Sequence, residues 1–262
     1  MRASNHPYFE GDYPLVLPHR GGMEVVPENT LEAVVYANEN KFTHFETDLR
    51  MSKDGIVFLH HDETLDRTTD CKGKVAEYNW RDLLKINAGK KFYDKKKIYN
   101  QETQFISLED ALIKFPDIKY NLDLKQAGMA ELVLTIIMDC KATERTLVSS
   151  FSPYRLRQFQ LLNNYNIATS GSIKENLQAL IHSNSFNLWK PDVDALQIPI
   201  KWKGIPVLSK NLVDYAHNKN LLVHIWTVND ASTLRDCVSL GCDGYITDRP
   251  IELRSLLEDL YG

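Results

Sequence analysis

The chain has 262 residues, of which 43% are hydrophobic and 25% charged, and its formal net charge is −4. That apolar share can fill a sizeable core, which excludes an intrinsically disordered chain. The slightly acidic balance lacks the basic excess that phosphate-backbone binders need, so no nucleic-acid partner is expected.

Taken in chain order, residues 1–12 contain no apolar core of the signal-peptide kind. Short apolar runs rich in β-branched or aromatic residues then alternate with segments of helical period, the pattern of βα units. The first strand is expected over 15–19 and runs into His19-Arg20-Gly21-Gly22, which sets an imidazole and a guanidinium beside backbone able to approach a ligand closely. A helix is expected over 30–40, with Asn29 as its cap and Glu32 three residues on, a capping-box-like spacing. The second strand, 45–50, holds Glu46-Thr47-Asp48, whose carboxylates at i and i+2 face one side. His44 shares their parity but lies lower and reads as structural.

Ser52-Lys53-Asp54-Gly55 reads as a turn with Asp-Gly at its tip, and 56–60 as a strand returning from it. His60 and His61 are adjacent, so on an extended strand they face opposite sides and at most one reaches a site. His61, followed by Asp62, is the candidate. Residues 51–106 lack clean alternation and are expected to form an insertion over the barrel mouth, not a separate domain. Within it Lys90, Lys91, Lys95, Lys96 and Lys97 surround Phe92 and Tyr93 and read as a solvated face. The third strand, 120–125, supplies Asp123 and Lys125. Strands over 146–151, 167–171, 195–200, 222–228 and 244–247 follow. Leu156, Phe159 and Leu162, then Leu212, Tyr215 and Ala216, mark amphipathic helices between them, and a last helix over 251–260 follows Pro250. His6, His182, His217 and His224 lack comparable chemical company. The longest apolar stretch, 132–138, is broken by Thr135 and falls far short of the roughly 20 residues a membrane span requires. Cys71, Cys140, Cys237 and Cys242 form no Cys-x-x-Cys pair, so free thiols in a reducing compartment are expected. The expectation is a cytoplasmic protein without stable membrane association; its oligomeric state stays open.

Eight strand–helix pairings close most economically into a TIM (β/α)8 barrel, one domain over 1–262, with an open doubly wound sheet as the competing topology. In such a barrel the reacting groups sit at the carboxyl ends of the strands. Two adjacent inward carboxylates repel unless a cation lies between them, and oxygen-only ligands favour one hard divalent ion, Mg²⁺ or Ca²⁺. Asp123 would complete a carboxylate tripod, and Lys125 could hold a phosphate as a point charge. Salt bridges from Arg20 or Lys125 to Glu46 or Asp48 account for the same residues equally well.

Together, His19-Arg20-Gly21, Pro27-Glu28-Asn29-Thr30, Glu46-Thr47-Asp48, Lys53-Asp54-Gly55 and His61-Asp62 resemble the glycerophosphodiester phosphodiesterase family. The likeness continues through Leu65-Asp66-Arg67-Thr68-Thr69, Asn121-Leu122-Asp123-Leu124-Lys125, Ser149-Ser150-Phe151, Trp226-Thr227-Val228-Asn229 and Gly241-Cys242-Asp243-Gly244-Tyr245-Ile246-Thr247-Asp248-Arg249-Pro250. It implies a TIM barrel with a small insertion after the second strand, and hydrolysis of glycerophosphodiesters to glycerol 3-phosphate and an alcohol. It further implies His19 and His61 as an acid–base pair, Glu46, Asp48 and Asp123 as metal ligands, and Arg20 and Lys125 as phosphate binders. Asp123 stands where the family usually has glutamate, a shorter reach that could shift metal preference. Trp226 could wall the glycerol or the leaving group, and barrel packing explains it equally well. Two rivals remain: a lysophospholipase D, separable by comparing glycerophosphocholine with lysophosphatidylcholine, and a module that binds phosphodiesters without cleaving them, separable by a turnover assay.

Overall fold

The computed structural model describes residues 5–99, 101–184 and 189–261. Its strands are β1 (Leu15–Pro18), β2 (His44–Met51), β3 (Val57–Leu59), β4 (Lys119–Leu124), β5 (Thr146–Ser149), β6 (Ala168–Thr169), β7 (Ala195–Pro199), β8 (Lys201–Trp202), β9 (Ile205–Pro206), β10 (Leu222–Trp226) and β11 (Gly244–Thr247). Its helices are α1 (Leu31–Glu39), α2 (Trp80–Leu83), α3 (Lys90–Lys96), α4 (Leu108–Lys114), α5 (Ala130–Asp139), α6 (Pro153–Leu162), α7 (Ile173–His182), α8 (Lys210–Asn218), α9 (Ala231–Leu240) and α10 (Pro250–Tyr261).

Parallel pairing runs β2–β4–β5–β6 on one side and β1–β11–β10–β7 on the other. Single parallel bridges, His19 to Glu46 and Ser170 to Ala195, link the two sheets at their seams. The molecule is thus a TIM-type (β/α)8 barrel, with an open sheet excluded by the second seam. The central strands are buried on both faces, which explains their near-continuous apolar runs. On β2, Phe45 and Leu49 pack outward with Leu122, Val133 and Phe159, while across the barrel Leu196, Ile198, Leu212, Ile225 and Leu253 form the matching outer core. Each such fully buried side chain contributes roughly 1.5–3 kcal/mol. The amino-terminal end of the barrel is filled by Tyr8 and Phe9, packed on Leu147, Ala168, Ala195 and Leu222.

The strand expectations sit in the right places but run long at their carboxyl ends: β1 stops at Pro18, β4 at Leu124, β5 at Ser149 and β10 at Trp226. Just there the chain turns away from the sheet and presents His19, Lys125, Phe151 and Thr227 to the mouth. The helix cap also differs. Thr30 caps α1 by accepting from the Ala33 N–H, and Glu32 accepts from the Tyr93 hydroxyl instead of closing a capping box.

After β2 the chain doubles back: β3 pairs antiparallel with the last three residues of β2, of which Arg50 and Met51 run beyond the ladder with β4. The segment carries a small core of its own around Phe58, Leu65, Val75, Leu83 and Phe105. In α3 Tyr93 tucks inward while Lys91, Lys95, Lys96 and Lys97 are exposed. Among the described residues no helix is long and apolar enough to cross a membrane.

Candidate active site

His19, Arg20, Glu46, Asp48, His61, Asp123, Lys125 and Trp226 line a single cavity of about 290 Å³ at the carboxyl ends of the strands. The strand period explains how: Glu46 and Asp48 face the same side of β2, and register sets Asp123 of β4 directly beside Asp48.

Each imidazole is held by a carboxylate. His19 Nδ1 stands 2.6 Å from Asp248 Oδ1, leaving Nε2 toward the cavity, 4.0 Å from Glu46. Asn229 fixes Asp248 by donating to its Oδ2 at 2.6 Å and accepting its backbone N–H at 2.9 Å. His61 Nδ1 stands 2.6 Å from Asp62 Oδ1. Burial works to lower both histidine pKa values. At His19 the Asp248 hydrogen bond and the Glu46 carboxylate outweigh it and the value is raised, whereas at His61 burial, aided by Arg20, wins over Asp48 and the value is lowered. His60 is buried instead, with its ring stacked on Phe58 and Nε2 at 3.1 Å from the Thr64 carbonyl.

The cations are gripped by the carboxylates. Lys125 Nζ lies 2.6 Å from Asp123 Oδ2 and 3.0 Å from Asp48 Oδ1, and Arg20 Nε lies 3.1 Å from Asp48 Oδ2. Burial pushes the Asp48 pKa up, but Lys125 and Arg20 more than offset it, so the group is held well below the usual carboxylate range. Glu46 is the opposite case: burial and then its neighbour Asp48 push its carboxyl up to about 7 despite nearby His19 and Arg20. The expected carboxylate tripod is therefore only partly assembled. The three acids share the cavity, yet Lys125 bridges two of them, and among the described residues no three metal-ligating side chains gather closely enough to hold an ion. Two observations still fit a hard cation in kind. Asp123 Oδ1 is buried without a hydrogen-bond partner, and Glu46 lacks enough positive charge to ionise readily.

Several supporting residues escaped the sequence reading. Asn29 is no cap: at φ 56° its side chain donates to Asp48 at 2.9 Å and accepts from Thr47 at 2.7 Å, so it orients a cavity carboxylate. Arg67 reaches in from the insertion and makes paired hydrogen bonds to both Glu28 and Asp62. Glu28 in turn accepts from Arg20 at 2.8 Å, so one guanidinium ties the orientation of Arg20 to that of His61. All of these lay inside quoted motifs; what sequence withheld was who touches whom. Gly21 and Gly22 carry a structural requirement that the sequence reading did not include. A Cβ on Gly21 would stand 2.5 Å from Ala33 Cβ, one on Gly22 would stand 2.9 Å from Pro250, and both residues have positive φ, so close packing and backbone conformation are sufficient reason for the two glycines. His44 lies far from the mouth, bonded to the Tyr8 carbonyl, and His217 does have company, Asp243 at 2.8 Å. Trp226 packs edge-on against Phe151 at 5.4 Å.

The sequence profile of the Glycerophosphoryl diester phosphodiesterase family matches residues 19–252. A Mycobacterium tuberculosis protein named "Probable glycerophosphodiester phosphodiesterase 2" is 30% identical over 249 residues, covering 93% of this chain and 90% of that protein. A glycerophosphodiester phosphodiesterase of Caldanaerobacter subterraneus subsp. tengcongensis is 28% identical over 93% of this chain and 97% of its own length. Among solved structures, an Oleispira antarctica phosphodiesterase in complex with the product sn-glycerol-3-phosphate superposes with a TM-score of 0.75 at 26% identity, covering 94% of this chain and 97% of that one. Matched by the family profile over residues 19–252 and by a relative 30% identical across 93% of its length, with His19, His61, the three acidic residues and the two cations facing one cavity, the chain belongs to the glycerophosphoryl diester phosphodiesterase family of enzymes.

Proposed function

We propose that this chain hydrolyses glycerophosphodiesters to glycerol 3-phosphate and an alcohol, with His19 and His61 as the acid–base pair and Arg20 and Lys125 as the phosphate grip. The observation that carries this reading is the convergence of two carboxylate-backed imidazoles and two cations on one cavity. A diester phosphate is negatively charged and repels nucleophiles, so fixed positive groups at its non-bridging oxygens lower the barrier. Arg20 and Lys125 supply them. One proton must leave the attacking oxygen while another reaches the departing one, and imidazoles do both near neutral pH. Asp248 and Asp62 orient the two rings, each accepting from Nδ1 so that Nε2 is left for transfer. Trp226 walls the organic part of the substrate.

Glu46, Asp48 and Asp123 would hold one divalent cation, Mg²⁺ or Ca²⁺. When bound it would polarise the phosphoryl oxygens and relieve the crowding of acidic groups. We infer that residues 51–106 act as an insertion within one catalytic domain, since they deliver His61 to the barrel's own cavity and Arg67 to Glu28 and Asp62, the carboxylates that hold Arg20 and His61. The acidic net charge supports a small-molecule substrate over nucleic acid, and the four free cysteines support a cytoplasmic setting without stable membrane association.

The test is release of glycerol 3-phosphate from glycerophosphocholine with Mg²⁺ or Ca²⁺ supplied. Turnover that requires both histidines supports the reading; binding of the diester without any cleavage rejects it in favour of a binding module.

A further inference from the structure

The face of β2 that carries Glu46 and Asp48 continues at the same strand period to Arg50. Beside it the Lys125 N–H donates to the Leu49 carbonyl, so Lys125 stands next to Arg50 at the carboxyl end of the sheet. The following strand, β5, runs into Ser150, whose hydroxyl accepts from Arg155 Nε at 3.0 Å. Three neighbouring elements thus set Arg50, Lys125 and Arg155 along one arc of the rim. A cavity of about 350 Å³, lined by Arg50, Glu63, Lys74, Lys125 and Gln126, adjoins this arc and shares only Lys125 with the catalytic cavity.

Among the described residues neither Arg50 nor Arg155 makes an ion pair. Each guanidinium is pinned through Nε alone, Arg50 on the His61 carbonyl at 3.0 Å and Arg155 on Ser150, which leaves both terminal nitrogens of each fork open. The two are close enough for their charges to oppose one another. The carboxylates within reach of Arg50 do not relieve this, because each is already gripped: Glu63 by Lys74 at 2.8 Å, Asp48 by Lys125 at 3.0 Å and Arg20 at 3.1 Å, and Asp62 by Arg67 at 2.7 Å. The arc keeps two unmatched positive charges, one per guanidinium. Like charges side by side are costly until an anion joins them. A phosphate monoester matches that charge, since it carries about −1.5 to −2 near pH 7 and offers three acceptor oxygens to planar forks. A carboxylate would neutralise only half of it.

Resting on the phosphodiesterase reading above, we propose that Arg50 and Arg155 bind a phosphate monoester carried on the departing alcohol, so that the preferred diester holds a second, terminal phosphate. Lys125, common to both cavities, stands between the scissile phosphate and the terminal one. In net terms water adds its hydroxyl to the scissile phosphorus, the bond from that phosphorus to the alcohol oxygen breaks, and the second water proton goes to the alcohol. The terminal phosphate leaves unchanged on the alcohol.

The experiment compares kcat/KM, at fixed free Mg²⁺ or Ca²⁺, for glycerophosphodiesters of terminal alkanediols with and without a phosphate on the far hydroxyl, at several diol lengths. Both members of a pair have the same hydrocarbon, so their ratio reads the second phosphate alone. We expect the phosphorylated member to be favoured by about 10- to 100-fold at the diol length that spans the two sites, and by less at high ionic strength. In Arg50→Gln and in Arg155→Gln that ratio should fall by about tenfold or more. A residue that merely held the His61 or Ser150 loop would lower both members alike, and an unchanged ratio in both variants overturns the proposal. A ratio near unity in the wild type at every length, with the diesters still cleaved, overturns the site and spares the phosphodiesterase reading. A terminal carboxylate should gain much less than the phosphate; an equal gain overturns the charge match. Inorganic phosphate that raises turnover of the unphosphorylated diester, with no advantage to the phosphorylated one, overturns the substrate assignment in favour of a free anion. If no diester is cleaved the catalytic reading falls, and the arc is then decided by calorimetric binding of an alkanediol bisphosphate against the monophosphate. Tighter binding of the bisphosphate that is lost in Arg155→Gln sustains the arc; equal binding overturns it.

Discussion

Replacing Arg67 with alanine separates positioning from stability. The Arg67 guanidinium donates to Asp62 at 2.7 and 3.3 Å and to Glu28 at 2.6 and 2.8 Å. Those two carboxylates hold His61 at 2.6 Å and Arg20 at 2.8 Å. Neither acid would be orphaned in the variant, because each keeps its inner partner. The Arg67 side chain is also 45% exposed, so solvent screens its ion pairs and their loss should cost only about 1 kcal/mol of stability. Activity should suffer more. Without the clamp His61 and Arg20 lose their shared frame, and misplacement of a reacting group by about 1 Å can cost on the order of 100-fold. The expectation is a fall in kcat/KM of about 10- to 100-fold, equivalent to roughly 1.4–2.7 kcal/mol of transition-state stabilisation. Arg67→Lys should recover little, since an ammonium cannot form both paired contacts. Glycerol 3-phosphate release and thermal unfolding are measured on the same preparations. Wild-type kcat/KM in Arg67→Ala, or a loss matched by unfolding at the assay temperature, would refute the reasoning.

His19→Ala and His61→Ala should each reduce turnover by about 10²- to 10⁴-fold with unchanged circular dichroism, and near-native turnover in both dismisses the acid–base pair. Exhaustive chelation should abolish activity, and Mg²⁺ or Ca²⁺ should restore it; activity indifferent to chelation dismisses the ion. Gly21→Ala should destabilise the fold by about 1–3 kcal/mol, because its Cβ would meet Ala33 and its φ of +95° disfavours a side chain; an unchanged unfolding midpoint contradicts the packing argument. Burial lowers the His224 pKa to about 4, so between about pH 6.5 and pH 4 the unfolded chain binds a proton that the folded chain does not. Stability from this group is complete above about pH 6.5 and declines as pH falls, by roughly 2 kcal/mol between pH 7 and pH 5. His19 and His217, whose values are raised, act in the opposite sense. The measurement is therefore the urea midpoint of wild type against His224→Gln at both pH values, and equal pH dependence in the two proteins rejects it.

What was legible in the sequence was whatever local periodicity encodes. The i and i+2 spacing placed Glu46 with Asp48 and Asp123 with Lys125, and apolar runs located the barrel strands. What was not legible depended on contacts between distant segments. His19 meets its carboxylate 229 residues away, and Arg67 meets Glu28 across 39. No periodicity announces either. The β8–β9 hairpin was hidden for another reason: strands of two residues are too short to show alternation, and only Lys203-Gly204 at the tip marks the turn. Asn29 was misread because asparagine suits both a helix cap and a left-handed turn, and Thr30, next to it, makes an equally good cap. The pairing of Lys125 with Asp48 and Asp123 was one of two readings that the residues allowed, and side-chain types alone could not choose between them.

The most direct measurement is a crystal structure with Mg²⁺ or Ca²⁺ and glycerol 3-phosphate bound. The account predicts an ion on Glu46, Asp48 and Asp123, with Lys125 turned from the acids to the phosphate and His19 and His61 on either side of the phosphorus. An ion bound elsewhere, or a phosphate beyond the reach of both imidazoles, would contradict it.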